Sequence, residues 1–423
     1  MDIRSKIKKL YETGFFHIFS SNVINKILLF CNGIFIVRVL SKENFGIYSY
    51  SQNLLSIFLL FSGLGIDSGL LQFASKSNEK EKNEIFKFTL KYGVIINIII
   101  TGATIIYCIF GNFKIKESKD ILLYMSGFPI FTVIIDLFLT YWRAELKNRE
   151  MSVLSTINTF STVIFMTIGG YLCELKGVIL GKYIGFILVI IVILKYSSFE
   201  EFKQYLKNSK INFSLKKKII KYSLLAQINN SIVSFIHMID ILSIGILIGD
   251  KNILATYKTA NIIPFGLEFI PAAIIIYVYP YFARNNKNIQ WIKENYIKVL
   301  KILIGINFII VIINLCFGEI IIINIFGKEY LDSVRIFNIL CIGYFFTGSF
   351  RALGTNILFA LQKPKYNIYS SVIASISNIF LNIFLIKRYG SIGAAYATLI
   401  VFMIWSIIVN AFIYFKIKRL FRK

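Results

Sequence analysis

Charge is scarce in this chain, and acid scarcer still. Only 16% of the 423 residues are ionised, with 22 acids against 47 bases. A soluble globular domain carries about 25% charged residues, so that class is disfavoured at once. There are two histidines, His17 and His237, too far apart in sequence for a local di-histidine metal motif. The five cysteines (Cys31, Cys108, Cys173, Cys316 and Cys341) are odd in number, scattered and mostly set in apolar runs. No CxxC or Cys/His spacing occurs, so they read as small buried hydrophobes, and neither a metal nor a cofactor is expected. Hydrophilic segments are few, the longest being 197–218, and no cleavable signal peptide is evident before the first apolar run.

What is present is apolar surface. Hydrophobic residues make up 56% of the chain and the mean hydropathy is +0.69. That much apolar surface exceeds what one core can hide, so the chain reads as an all-α, multi-spanning membrane protein. A hydropathy window of about 19 residues finds roughly twelve spans. They fall near 15–37, 45–75, 88–111, 119–142, 150–173, 177–195, 220–248, 253–282, 298–318, 332–361, 366–386 and 391–415. Gly63, Gly65 and Gly69 are positioned to bend the second span, and Pro264, Pro271 and Pro280 the eighth.

A net charge of +25 would point to nucleic acid in a soluble protein, but no nucleic-acid motif accompanies it. Here the charge reports topology. With a cytoplasmic N-terminus, basic residues favour the inner segments over the outer loops by about three to one. The C-terminus and the hydrophilic 197–218 connection are then cytoplasmic too, and anionic lipid is a secondary contact. Outer loops are all short, under about 20 residues on the same hydropathy reading, which argues against an enzyme with an external working domain.

The chain faintly repeats itself. At an offset of 209, Tyr48 falls on Tyr257, Gln52 on Asn261, Phe73 on Phe282 and Ala74 on Ala283; near 216, Ser155 falls on Ser371 and Gly177 on Gly393. Two copies of one unit are expected: a bundle over 1–196, a cytoplasmic linker over 197–218 and a second bundle over 219–423. Six spans return the chain to its starting side, so the copies are parallel, with a central cleft expected between two six-helix bundles.

Ionised side chains cost about 2.5–3.5 kcal/mol each at a helix centre, so those inside spans need a wet cavity or a partner. Lys26, Asp67, Asp136, Lys182, Asp240, Lys258, Glu268 and Arg351 are the set. Each has a plain structural reading beside the functional one. Lys182 and Lys258 lie near the outer surface and can snorkel; Arg351 can be a buried pair. Lys26, near mid-span, either meets substrate or pairs with an acid such as Asp67 or Asp240. His237 and Asp240, three residues apart, share a helical face and read as a hydrogen-bonded pair or an ion site. Gly177, Gly181 and Gly185 form a face for close helix packing.

The stretches RVLSKENFGIYSYSQ and FSGLGIDSGLLQFASK (within 38–76), FALQKPKYNIYSS (359–371) and YGSIGAAYATLI (389–400) resemble the loops and helices of polysaccharide flippases of the Wzx type. Those belong to the multidrug/oligosaccharidyl-lipid/polysaccharide exporter superfamily. The resemblance spans nearly the whole chain. It implies two six-helix bundles with helices one, two, seven and eight lining the cleft, in a bacterial plasma membrane. It also implies a lipid-linked oligosaccharide substrate of the undecaprenyl-pyrophosphate type, with a polysaccharide polymerase or glycosyltransferases as partners. Lys26, Lys258 and Arg351 are then candidates for the anion, and Gln52, Asn229, Asn230 and Asn261 for sugar hydroxyls. Asp67, Asp240, His237 and Glu268 are candidates for a coupling ion. Two other functions stay open: a cation-coupled multidrug exporter, and a membrane polymerase or acyltransferase built on His237 with Asp240.

Overall fold

A computed structural model describes residues 15–196, 205 and 209–421. The described residues are helical almost throughout, with no strand among them. Sixteen α-helices follow one another: α1 (Phe15–Val39), α2 (Lys42–Leu59), α3 (Ile66–Ala74), α4 (Glu79–Phe110), α5 (Ser118–Met125), α6 (Phe128–Ala144), α7 (Asn148–Tyr196), α8 (Phe213–Ile236), α9 (Ile239–Leu247), α10 (Lys251–Gly266), α11 (Phe269–Arg284), α12 (Ile289–Ile325), α13 (Val334–Phe346), α14 (Ala352–Ala360), α15 (Pro364–Tyr389) and α16 (Ser391–Phe421). Among the described residues, ten stretches are long and apolar enough to cross a membrane, or eleven with the bent pair α8–α9. The 49 residues of α7 hold two crossings. A straight helix of that length would run about 70 Å, over twice the ~30 Å hydrocarbon core. It folds back at Cys173 and Glu174, both outside helical φ/ψ, close to the turn expected between spans five and six.

Solvation by lipid dictates which faces go inside. On α4, Ile95, Ile98, Ile99, Ile106 and Ile109 are exposed, while Thr89, Asn97 and Thr104 are fully buried. The same inversion marks α12, with Phe308, Ile309, Ile312 and Ile313 outward and Asn307 and Asn314 inward. Lipid tails solvate isoleucine well and cannot hydrogen-bond an amide, so polar side chains turn toward protein.

The chain packs as two compact units, Met1–Ser231 and Ile232–Lys423. In the first, α1 lies along α7, and α3, α4 and α6 pack together. In the second, α15 and α16 form a hairpin, α13 packs on α16 and α12, and α9 sits against α15. The division falls inside α8, beyond the boundary at 219 read from the sequence. Its cause is local: Gln227 Nε2 and Ser231 Oγ donate to the Leu60 carbonyl at 2.6 and 2.8 Å, and Ser223 touches Gly65 and Gly69. The first part of α8 therefore packs with the first unit. Residues 197–204 and 206–208 of the 197–218 connection lie outside the described residues. Near its end, Tyr205 packs edge-on to Phe86, and Ser209 donates to the Glu84 carbonyl.

Both units close their last hairpin through glycine. A Cβ on Gly177 would lie 1.8 Å from the Gly169 carbonyl oxygen, and one on Gly393 would lie 2.1 Å from that of Leu385. Gly181 and Gly185 continue the first contact against Phe165 and Thr162. The glycine face read from the sequence is thus a backbone-to-backbone seam.

Candidate functional site

Candidate side chains gather where spans break. In the first unit, span two stops at Leu59 and resumes at Ile66 through a turn in which Gly63, Leu64 and Gly65 all have positive φ. Glycine tolerates that region and leucine rarely does, so the turn holds strain at Leu64. The carbonyls freed by the break need donors inside a membrane. Gln227 and Ser231 supply them at Leu60, and Ser62 donates to Asn97 Oδ1 at 3.1 Å. Asp67 follows the break in the first turn of α3, where the helix dipole favours an anion. It is exposed and within electrostatic reach of Asp136 on α6, itself exposed.

Lys26 is exposed on α1 and has no ion-pair partner among the described residues. Its neighbour Asn25 donates to Ser155 of α7 at 2.8 Å, so the packed face of α1 is a different one. Of the two readings left open for Lys26, an ion pair with Asp67 is not formed. Gln52 is half-buried on α2 and Asn230 is exposed on α8. The side chain of Asn229 lies outside the described residues.

The second unit brings three breaks together. The α8–α9 pair bends by 55° at His237, span eight breaks at Leu267–Glu268, and span ten passes through a π-helical turn over Thr347–Arg351. Arg351 Nε donates to Thr347 Oγ1 at 2.7 Å and Nη2 to Glu268 Oε1 at 3.3 Å. Thr347 donates to the same carboxylate at 3.2 Å. The guanidinium lies 4.7 Å over the Trp405 ring, whose Nε1 donates to Ser370 at 3.2 Å. The Tyr344 hydroxyl sits between the freed Leu267 carbonyl and Asn307 Oδ1, at 3.2 and 2.8 Å. His237 stacks edge-on to Phe265 at 5.3 Å, with Nδ1 buried and without a hydrogen-bond partner.

Asp240 has a different environment from the one expected. No His237–Asp240 hydrogen bond forms, because the chain bends at 237–238 and only Asp240 enters regular α9. Its carboxylate is buried and accepts from Tyr257 at 2.7 Å, from Asn382 at 2.9 Å and from Thr398. Asn378 Oδ1 accepts from Asn382 Nδ2 at 2.6 Å, and its Nδ2 donates to the Ile236 carbonyl at the end of α8 at 3.2 Å. Asn382 Oδ1 stays buried with no partner. Spans seven, eight, eleven and twelve thus meet at one carboxylate, which faces two hydroxyls and an amide NH₂. A cluster of carboxylate, hydroxyls and amides, with no thiolate or imidazole in it, suits a proton or an alkali cation better than a soft metal.

Lys258 is half-buried on α10 and has no partner among the described residues; Asn261, one turn on, has an unpartnered buried Oδ1. Lys182 rests its ammonium 4.6 Å over the Phe128 ring, a contact that settles its charge without substrate. Of the residues named from sequence, the structure brings together Arg351, Glu268 and His237, and sets Asp240 in its own network. It adds Thr347, Trp405, Tyr257, Asn378, Asn382 and Thr398. Asn378 and Asn382, four apart in an apolar span, were the signal for the last group: two amides on one face of a membrane helix need a polar neighbour.

Residues 13–286 match the family described as polysaccharide biosynthesis protein. The chain is 24% identical over 379 residues to a Shigella flexneri protein named "Putative O-antigen transporter", covering 85% of this chain and 87% of that one. It is 21% identical over 401 residues to the "Probable low-salt glycan biosynthesis flippase Agl15" of Haloferax volcanii, covering 92% and 81%. Among solved structures its fold is similar to the lipid II flippase MurJ in an inward closed conformation, with a TM-score of 0.75 at 17% identity over 93% of this chain and 86% of that one. An inward-facing multidrug resistance MATE transporter of the MOP superfamily gives a TM-score of 0.73 at 12% identity over 94% and 96%. The family match covers more than half of the sequence, and the chain belongs to the polysaccharide biosynthesis protein family.

Proposed function

We propose that this protein flips a lipid-linked oligosaccharide across the plasma membrane by alternating access, for surface polysaccharide assembly. The observation that carries the reading is a pair of unsatisfied cations: Lys26 in the first unit and Lys258 in the second, each inside a span and each without a partner among the described residues. Two such charges are costly in a membrane unless an anion visits them. A polyprenyl pyrophosphate, of the undecaprenyl type, is an anion that arrives within the bilayer. Gln52, Asn230 and Asn261 supply amides for the sugar, and Asn229 belongs to the same set. Arg351 is neutralised by Glu268 and its role is to hold the π turn, with substrate contact secondary.

Asp240 is the proposed coupling-ion position. Among Asp67, Asp240, His237 and Glu268 it alone is a buried carboxylate, held by two hydroxyls and the Asn382 amide, whose own Oδ1 has no partner. A proton or sodium would neutralise it. The polymerase or acyltransferase reading needed His237 and Asp240 as a catalytic pair, and they are not bonded. The distribution of basic residues supports a cytoplasmic N-terminus and C-terminus.

The test is reconstitution. Liposomes carrying the purified protein and a radiolabelled undecaprenyl-pyrophosphate oligosaccharide in one leaflet are treated with a membrane-impermeant glycosidase. Flipping is expected to raise the cleaved fraction above that of empty liposomes. Equal cleavage in both, together with uptake of a cationic dye, would move the reading to drug export.

A further inference from the structure

A cavity of about 510 Å³ in the second unit is lined by Arg335, Leu385, Tyr389, Ile392, Tyr396 and Ile400. It lies at the end of the unit where α13 begins, α15 ends and α16 starts, joined through the Gly390 turn. That is one membrane boundary, since α15 and α16 are successive spans. The lining divides by chemistry. Leu385, Ile392 and Ile400 give an aliphatic wall. Tyr389 and Tyr396 pack edge to face with centroids 6.3 Å apart. Arg335 is exposed and has no ion-pair partner among the described residues. Lys387 and Arg388 stand in the last turn of α15, Arg388 over the Tyr389 ring at 5.5 Å. The acid one turn before Arg335, Asp332, accepts from Thr256.

A free guanidinium, two tyrosines and a hydrocarbon wall at a span end match the two halves of a phospholipid. Tyrosines favour the headgroup level, and basic pockets between spans take anionic headgroups. We propose that this cavity binds one anionic phospholipid of the bilayer, its phosphate on Arg335 and its acyl chains along Leu385, Ile392 and Ile400. The site is separate from the polar networks around Arg351 and Asp240, and it does not depend on the identity of the transported molecule.

Native mass spectrometry of the whole protein tests it, with phosphatidylglycerol, phosphatidylcholine and inorganic phosphate as probes. The wild type is expected to retain one phosphatidylglycerol in preference to phosphatidylcholine, with inorganic phosphate unable to displace it. Arg335→Gln should lower occupancy about fivefold, the loss expected for one basic contact near a membrane surface. Arg335→Lys should keep part of it. Ile392→Trp, which fills the cavity and leaves the charge, should also expel the lipid and guards against misfolding of the arginine variant. Lys387→Gln, outside the lining, should change little. Wild-type retention by both Arg335→Gln and Ile392→Trp, equal retention of the two lipids, or displacement by phosphate would each overturn the proposal.

Discussion

An ionised side chain inside a bilayer can pair, be solvated by neutral dipoles, or stand without a partner, and this chain shows all three. Arg351 pairs with Glu268, Asp240 is held by Tyr257, Asn382 and Thr398, and Lys26 has no ion-pair partner among the described residues. The difference is measurable. Lys26→Gln strands no acid, so the variant should reach the membrane at normal abundance while surface polysaccharide falls by about tenfold or more, roughly the loss of one good ionic contact. Lys26→Arg should keep part of the activity and Lys26→Glu none; normal polysaccharide from an abundant Lys26→Glu would end the anion-site reading. Asp240→Asn should behave differently. It turns an acceptor-only group toward three donors, leaves one of them facing an amide NH₂, and should cost about 1–3 kcal/mol of stability. If Asp240 takes the coupling ion, an Asp240→Asn protein that still assembles should lose its response to an imposed proton or sodium gradient. A variant with full gradient response would remove Asp240 from that role. The charges themselves were legible in the sequence, because each is conspicuous in an apolar span. Their fates were not. The partners of Asp240 are neutral, and Asn382 and Thr398 lie 142 and 158 residues away.

Helices were easier to read than the places where they break. Hydropathy alone located nearly every span, and the glycines of 63–69 marked the turn in span two. In span eight the break comes between Pro264 and Pro271, while Pro280 sits inside α11 without ending it. Neither the bend at His237 nor the π turn at 347–351 contains a proline, and the π turn holds the adjacent pair Gly348 and Ser349, which lets a helix deform. The glycine seam gives a sharp test at this scale. A Cβ on Gly181 would lie 2.0 Å from the Phe165 carbonyl oxygen, whereas Gly102 has open space around it. Gly181→Leu should therefore separate the two arms of α7, with a destabilisation of at least the 1–3 kcal/mol typical of overpacking, and reduce membrane abundance. Gly102→Leu should be neutral, since its new side chain faces nothing but lipid. Quantitative immunoblotting of both, with thermal melting in detergent, separates them; equal abundance would count against the seam. At the span-two turn, Gly65 has φ of +73° and an added Cβ would meet the Ser223 carbonyl at 2.6 Å. Gly65→Ala should therefore impair folding as well, through both strain and contact.

For the whole molecule the open quantity is orientation, and the chain carries its own reporter. Counting α7 as two crossings and α8–α9 as one gives twelve among the described residues, an even number that would put both termini on one side. We propose that this side is the cytoplasm, because the excess of basic residues lies in alternate connections and positively charged loops resist translocation. Two positions then become opposites. Cys173 is exposed at the hairpin turn after the fifth crossing and should face outward. Lys287 is exposed in the connection between α11 and α12, after the eighth crossing, and should face the cytoplasm. In a background with the other four cysteines replaced, Cys173 should react with a membrane-impermeant maleimide added to intact cells. In a fully cysteine-free background, Lys287→Cys should react only after the membrane is opened. Both positions are exposed turns or connections, so burial cannot mimic protection. The reverse pattern would invert the topology, and with it the direction in which Lys26 first meets its anion. Equal labelling of the two from outside would break the count of three crossings between them, the second arm of α7, α8–α9 and α10–α11, and would refute the hairpin in α7 or the pairing of α8 with α9 as one span.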